Sequence, residues 1–252
     1  MTGWRARLGF IIPPGTPTVE REMYELAPDG VSVHFARMVA RGPVGTLDNL
    51  QQRAASHLAH MDETVEMLAS VEPDVIVLAH TATSYVLGKE GEQKLTRDIE
   101  QRTGIPFISA LGSAFGVLGA RRVAVGTAYD EALTLRGKAV LESYGMEVVN
   151  AVCLRDVKSI FEETERRVYG LVRDAYRPEA DAMFLSGVGL PTLSVLGALE
   201  TDLGRPVLSS ASAMMWNALR VAGIGAPIAG YGRLLQNAEY RPPSAHRPVR
   251  KN

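Results

Sequence analysis

Five histidines and one cysteine are the side chains of this 252-residue sequence with the widest chemical range. The cysteine, Cys153, has no partner for an internal disulfide and cannot by itself build a thiolate zinc site. A thiol can also act as a nucleophile, but VVNAVCLRD is an apolar, strand-like run in which a small buried core residue is expected. His57 and His60 stand three apart in AASHLAHMDETVEML, a helical pattern that gathers Asp62 and Glu63 beside them as metal-ligand types. No third ligand follows at helical spacing, so a solvated or partly covered helix face is expected there, and no metal. His34 alternates with apolar residues in VSVHFARM and is expected to be structural, while His246 lies in the tail. His80 is different, because it ends the apolar run VIVLAH and opens the small-residue stretch His80-Thr81-Ala82-Thr83-Ser84. Gly126, Gly187 and Gly189 could suggest nucleotide binding, yet no GxGxxG opens a helix after the first strand and no GxxxxGK[ST] occurs, so no nucleotide cofactor is expected.

The elements that position these residues follow from hydrophobic periodicity. Apolar runs of four to six residues alternate with longer helical patterns, the signature of α/β proteins built on parallel sheets. Eight strands are predicted, at residues 8–12, 31–38, 75–80, 106–109, 122–127, 146–154, 182–187 and 206–210. They fall into two sets of four. EPDVIVLAHTATSYVLG from Glu72 matches PEADAMFLSGVGLPTLSVLG from Pro178, and IEQRTGIPFISALGSAFGVLGARR from Ile99 lines up with LETDLGRPVLSSASAMMWNALRVAG from Leu199. A repeat about 110 residues long is far beyond a solenoid unit and implies two homologous lobes. The expected fold is therefore α/β, with two pseudo-symmetric lobes, each a four-stranded parallel sheet flanked by helices, and a ligand cleft between them. Residues 1–112 are assigned to lobe one, with 213–240 returning to it, and residues 113–212 to lobe two. Residues 241–252 (RPPSAHRPVRKN) read as a disordered tail.

Ligands of parallel sheets bind beyond the carboxyl ends of the strands, where small residues and helix N-termini offer backbone N–H groups. Four loops meet that description: Pro13-Pro14-Gly15-Thr16 and the stretch from His80 in lobe one, and Gly126-Thr127-Ala128-Tyr129 and Ser186-Gly187-Val188-Gly189 in lobe two. The alternating charges of residues 20–25 (EREMYE) leave two readings open, a solvated first helical turn or a helix start near the site. Met214-Met215-Trp216 are expected in core or interface.

The segments IIPPGTPTVEREMYELAPDG, VIVLAHTATSYVLG, GARRVAVGTAY, MFLSGVGLPTLSVLGALETDLGRPVLSS and GYGRLL resemble the aspartate/glutamate racemase superfamily, in the branch of arylmalonate decarboxylase and maleate cis-trans isomerase. The likeness runs from Leu8 to about Leu235. It implies a carboxylate substrate flanked by one or two cysteines, one at the end of the central strand of each lobe. Here those positions read Ala79-His80-Thr81-Ala82 and Ser186-Gly187-Val188-Gly189-Leu190-Pro191-Thr192, so the thiols are replaced by His80 and Gly187. The resemblance also implies an anion cradle made of Thr81, Tyr129 and the N–H groups of Ala82 and Val188. The serine common after the cradle threonine is Ala82 in this chain.

These readings imply a cofactor-independent lyase of the decarboxylase type, acting through an enolate on a small malonate-like carboxylate. Losing CO₂ needs one proton donor, whereas two-base racemisation needs one on each face, and Gly187 offers none. The expected catalytic residues are His80, for the proton, with Thr81 and Tyr129. Pro14, Thr16, Ala82, Thr83, Ser186, Gly187, Val188 and Gly189 are expected to bind substrate. A reference pKa of about 6.5 would let His80 hold either protonation state near neutrality. An isomerase or racemase of a small carboxylate, a hydrolase on the same scaffold, and a catalytically silent carboxylate-binding protein stay open as alternatives. A net charge of −1 gives no reason to expect nucleic acid, and no apolar run reaches the ~20 residues of a membrane span. A cytoplasmic setting is expected, and a homo-oligomer is compatible with the sequence.

Overall fold

The computed structural model describes residues 3–39, 50–110 and 118–237. The expected tail at 241–252, with His246, lies outside them. All eight predicted strands form: β1 (Ala6–Ile12), β2 (Val31–Arg37), β3 (Val75–Leu78), β4 (Phe107–Ser109), β5 (Arg122–Thr127), β6 (Glu147–Cys153), β7 (Ala182–Ser186) and β8 (Val207–Ser209). They make two separate parallel sheets, ordered β2-β1-β3-β4 and β6-β5-β7-β8. The described helices are α1 (Pro17–Leu26), α2 (Leu50–Ala59), α3 (Met61–Ala69), α4 (Thr81–Thr103), α5 (Glu131–Ser143), α6 (Glu165–Ala175), α7 (Leu193–Leu203), α8 (Ser210–Val221) and α9 (Arg233–Gln236). None of them is long and apolar enough to cross a membrane.

The repeat seen in the sequence is built in detail. The β1 backbone at Arg7 exchanges hydrogen bonds with Asp74, whose carboxylate accepts from the Arg7 N–H and whose own N–H donates to the Arg7 carbonyl. Arg122 of β5 does the same with Asp181. Glu100 Oε1 accepts the Phe107 N–H at 2.9 Å, and Glu200 Oε1 accepts the Val207 N–H at 2.9 Å. Both α4 and α7 end on a glycine in the left-handed conformation, Gly104 and Gly204. In the middle of each first strand a glycine lets a helix approach. A Cβ on Gly9 would lie 2.9 Å from Leu68 of α3, and one on Gly126 would lie 2.8 Å from Leu171 of α6.

One hydrophobic core joins the two sheets, running from Leu8, Phe10 and Val77 through Val125 and Phe184 to Leu199 and Trp216. A smaller cluster, including Ile11, Val65, Ile76, Leu78 and Phe107, backs the first sheet alone. Met214, Met215 and Trp216 are fully buried core residues of α8, a helix that packs against β3 and β4 of the first sheet and β7 and β8 of the second. The other main join is α4 against α5. Gly88 (φ 68°) breaks α4, and the Arg136 guanidinium of α5 donates to the carbonyls of Tyr85 and Val86 just before the break. Cys153 is half-buried at the end of β6, the outer strand of its sheet.

Candidate functional site

In both sheets the first strand sits between the second and the third, so the crevice of each opens between β1 and β3 or between β5 and β7. The four loops singled out above leave those four strands. They meet between the lobes, and every residue expected in the site is buried except Pro14.

Thr81 is the first residue of α4, so its hydroxyl and the following Ala82 N–H both face the end of the β3 crevice. Thr81 Oγ1 lies 3.0 Å from Ser210 Oγ, and the Gly187 N–H donates to that same Ser210 oxygen at 3.3 Å. Tyr129, after β5, is buried, with the Thr81 side chain and the Ala82 N–H near enough to its phenol to oppose part of the effect of burial on its pKa. Gly187 N–H, Ser210 and Thr81 thus form a short donor chain beside the buried Tyr129; Ser210 Oγ also reaches the Leu185 carbonyl at 3.5 Å, so either hydroxyl can donate in the Thr81–Ser210 contact. Burial raises the Tyr129 pKa and keeps the phenol protonated. The turn that aims it is fixed by Thr127, whose hydroxyl pairs with Thr134 at 2.6 Å and accepts the Tyr129 N–H at 3.3 Å.

His80 is the N-cap residue of α4, and its Nδ1 contacts Thr83 Oγ1 at 2.7 Å. Its ring meets that of His57 edge-on, with centroids 5.2 Å apart. Burial, followed by the positive potential of His57 and Arg53, pushes the His80 pKa down to about 3. The expectation of a histidine titrating near neutrality is corrected on this point: burial holds His80 as a neutral imidazole. The helix face around His57 and His60, expected to be solvated or partly covered, is partly covered. His57 is 3% exposed, and its Nδ1 pairs with the Val39 carbonyl at 2.9 Å, whereas His60 turns to Glu63. Among the described residues no three His, Cys, Asp or Glu side chains gather as a metal site.

The remaining expected residues fall into two groups. Thr16 lies against Gly189, with its methyl 3.3 Å from where a Cβ there would stand, which brings the β1 and β7 loops together. Val188 is buried on the same loop, and Gly187 holds φ at 142°. The others have side chains or carbonyls already engaged: Thr83 with His80, Ser186 with the Tyr85 hydroxyl at 2.6 Å, and the Pro14 carbonyl with Arg37.

Three residues that organise the site were not singled out from the sequence. Ser210 follows β8 in the small-residue loop that the repeat had already marked, so a signal existed. Tyr85 lies one turn into α4 and reaches the other lobe. Glu22 falls in the EREMYE stretch, for which a solvated turn and a place near the site are both open in the sequence, and the solvated reading fails for this residue. It is 5% exposed, and Oε1 accepts from Thr192 N (2.8 Å), Thr192 Oγ1 (3.2 Å) and Leu193 N (3.2 Å).

Comparison with known proteins agrees with this architecture. The family model described as arylmalonate decarboxylase matches residues 8–235. Arylmalonate decarboxylase of Bordetella bronchiseptica is 29% identical, covering 92% of this chain and 97% of the relative. Maleate isomerase of Nocardia farcinica is 27% identical, covering 91% and 95%. Among solved structures, a variant of the Nocardia farcinica maleate cis-trans isomerase with a covalently bound succinylcysteine intermediate superposes with a TM-score of 0.83 at 26% identity, over 92% of this chain and 98% of that one. A liganded double variant of arylmalonate decarboxylase gives 0.78 at 26% identity, over 91% and 98%.

Proposed function

The chain belongs to the arylmalonate decarboxylase family, and from that premise we propose that it is a cofactor-independent decarboxylase acting through an enolate on a small malonate-like carboxylate. The observation that carries this reading is the buried donor chain of Gly187 N–H, Ser210 and Thr81, drawn from both lobes and lying beside the buried Tyr129. Breaking the bond to the departing CO₂ leaves an electron pair that spreads onto the remaining carboxyl group. Donors fixed beforehand where that charge develops give the largest single contribution to such reactions, about 3–4 kcal/mol for one good donor. Thr81, Tyr129 and the N–H groups of Ala82 and Val188 are assigned to that task. Thr16, Pro14, Gly189, Ser186, Gly187 and Thr83 shape the surrounding walls.

His80 is assigned the proton. A bound dianion beside the imidazole raises its pKa from the low value set by burial, because opposite charge favours the protonated form. The substrate thus brings the charge that makes His80 an acid. Isomerisation of a small carboxylate is the second reading, favoured by the match to maleate isomerases. A thiol adduct of the kind in the Nocardia farcinica structure has no counterpart at His80 or Gly187, and Cys153 stands on an outer strand. The single cysteine favours a cytoplasmic setting.

A panel of aryl- and alkylmalonates and maleate, followed by NMR in deuterated water, tests the proposal. Loss of CO₂ with one deuterium gained at the α-carbon is expected for at least one malonate, and Tyr129→Phe or Thr81→Val should lower kcat about 10²- to 10³-fold. Turnover of maleate alone would make the enzyme an isomerase. Tight dicarboxylate binding with no turnover would make it a silent binding protein, and an acylated residue after exposure to an activated ester would make it a hydrolase.

A further inference from the structure

Glu22 is a buried carboxyl outside the donor chain, and its position relates it to the site. It belongs to α1, in the first lobe, yet its three hydrogen bonds all come from the start of α7 in the second. Thr192 is the N-cap of α7 but places no side-chain bond onto its own helix. Glu22 supplies the anion that a helix N-terminus favours, from 170 residues away. Thr192 ends the loop that begins at Gly187. At one end of this loop the Gly187 N–H is fixed to Ser210, and at the other end Thr192 is fixed to Glu22. Thr192 Oγ1 also lies 2.9 Å from Ser209 Oγ, the side chain that caps α8 by accepting the Ser212 N–H. Ser210, the next residue, is the middle of the donor chain.

We propose that Glu22 is a positioning residue, which sets the Val188 N–H and the Ser210 hydroxyl of the cradle by clamping the far end of the 187–192 loop and, through Thr192 and Ser209, the first turn of α8. This rests on the reading of the cradle given above. The Thr192 hydroxyl has a single hydrogen and two oxygens within reach, one on Glu22 and one on Ser209. With Glu22 ionised the hydrogen turns to the carboxylate. With Glu22 protonated that pull weakens, and the hydroxyl turns to Ser209, which changes the cap beside Ser210.

The charge state is poised to matter. Burial pushes the Glu22 pKa up to about 7, against the lowering effect of the Thr192 and Leu193 bonds. The charged groups around it are Arg21 and Glu25 of α1 and Glu165 of α6, which border the cavity onto which Glu22 opens. Glu25 adds to the upward shift.

The test uses the full chain with Glu22→Gln, Thr192→Val and Thr192→Ser. On the malonate turned over fastest, wild-type kcat is expected to rise with a midpoint near pH 7. Glu22→Gln should remove that step and stay at the low-pH rate, about tenfold down at pH 8 with KM nearly unchanged, since small misplacement of a catalytic group costs rate rather than affinity. Thr192→Val should behave alike, and Thr192→Ser should restore the wild-type profile. Amide exchange of residues 187–193 gives a readout independent of turnover: lower protection relative to the intrinsic rate at each pH is expected in Glu22→Gln at pH 8, and in wild type as the pH falls through 7. If the variants keep the wild-type pH profile and exchange, the proposal is wrong. If no carboxylate is turned over, the decarboxylase reading fails, and exchange alone decides whether Glu22 clamps the loop.

Discussion

The two lobes agree at the bottom of their sheets and differ at the top. Below, Asp74 matches Asp181 and Glu100 matches Glu200, each pair making the same bonds to the same places. Above, β3 runs into His80, an aromatic base packed against His57, while β7 runs into Gly187 and a loop of small residues. The framework residues tie strands to helices away from the cleft, where a change of substrate is not felt. The strand ends face each other across the cleft, where it is. The architecture is thus kept in duplicate while the residues at its strand ends differ.

The sharpest test of that asymmetry is acid. The unfolded chain takes up a proton at His80 near pH 6.5 and the native chain only near pH 3. Native stability should therefore decline as pH falls from about 6.5 to about 3, by up to about 5 kcal/mol. Chemical denaturation across that range should show the loss, and His80→Asn should remove most of it. No counterpart is expected from the Gly187 side. An acid limb unchanged in His80→Asn would break the comparison.

A smaller effect separates the two positions by backbone. Gly187 holds φ at 142°, and a Cβ there would stand 3.3 Å from Ala128. Gly187→Ala should cost about 1–3 kcal/mol. His80, at φ −148°, carries no such strain. Equal tolerance of alanine and cysteine at both positions, read from melting curves, would mean that the second loop is free to adopt another conformation.

The smallest effect should appear where the lobes are most alike. Glu200 is buried and accepts from Arg233 N as well as Val207 N, whereas Glu100 is more exposed and accepts from Phe107 N. Glu200→Ala is expected to cost about 2 kcal/mol and Glu100→Ala about 1 kcal/mol, the usual scale for one or two lost hydrogen-bond partners. Urea denaturation would measure both. A reversed order would show that the first lobe depends more on its bolt than the second.

Much of the fold was legible because its determinants are local. Each strand is an apolar run stopped by glycine, proline or a small polar residue, and every predicted strand formed with its ends shifted by no more than two residues. The pairing of loops was legible through the repeat, and the assignment of a cradle to them rests on resemblance. What escaped were polar residues whose meaning depends on distant partners. Glu22 reads as a surface glutamate until Thr192 is brought to it, and Ser210 reads as loop until Thr81 arrives from 129 positions away. How far His57 is covered was open in the sequence because part of what packs on it comes from beyond its own helix, His80 included. Local pattern fixes periodicity, and long-range packing decides which polar groups leave water.

The placement of α8 also governs how the molecule comes into being. During synthesis the first four strands emerge long before residues 210–221, the helix that covers β3 and β4. Until that helix arrives, apolar surface of the first sheet has no cover, and contacts of such sequence separation are slow to close. The order of translation therefore places the cover of the first sheet in the last quarter of the chain.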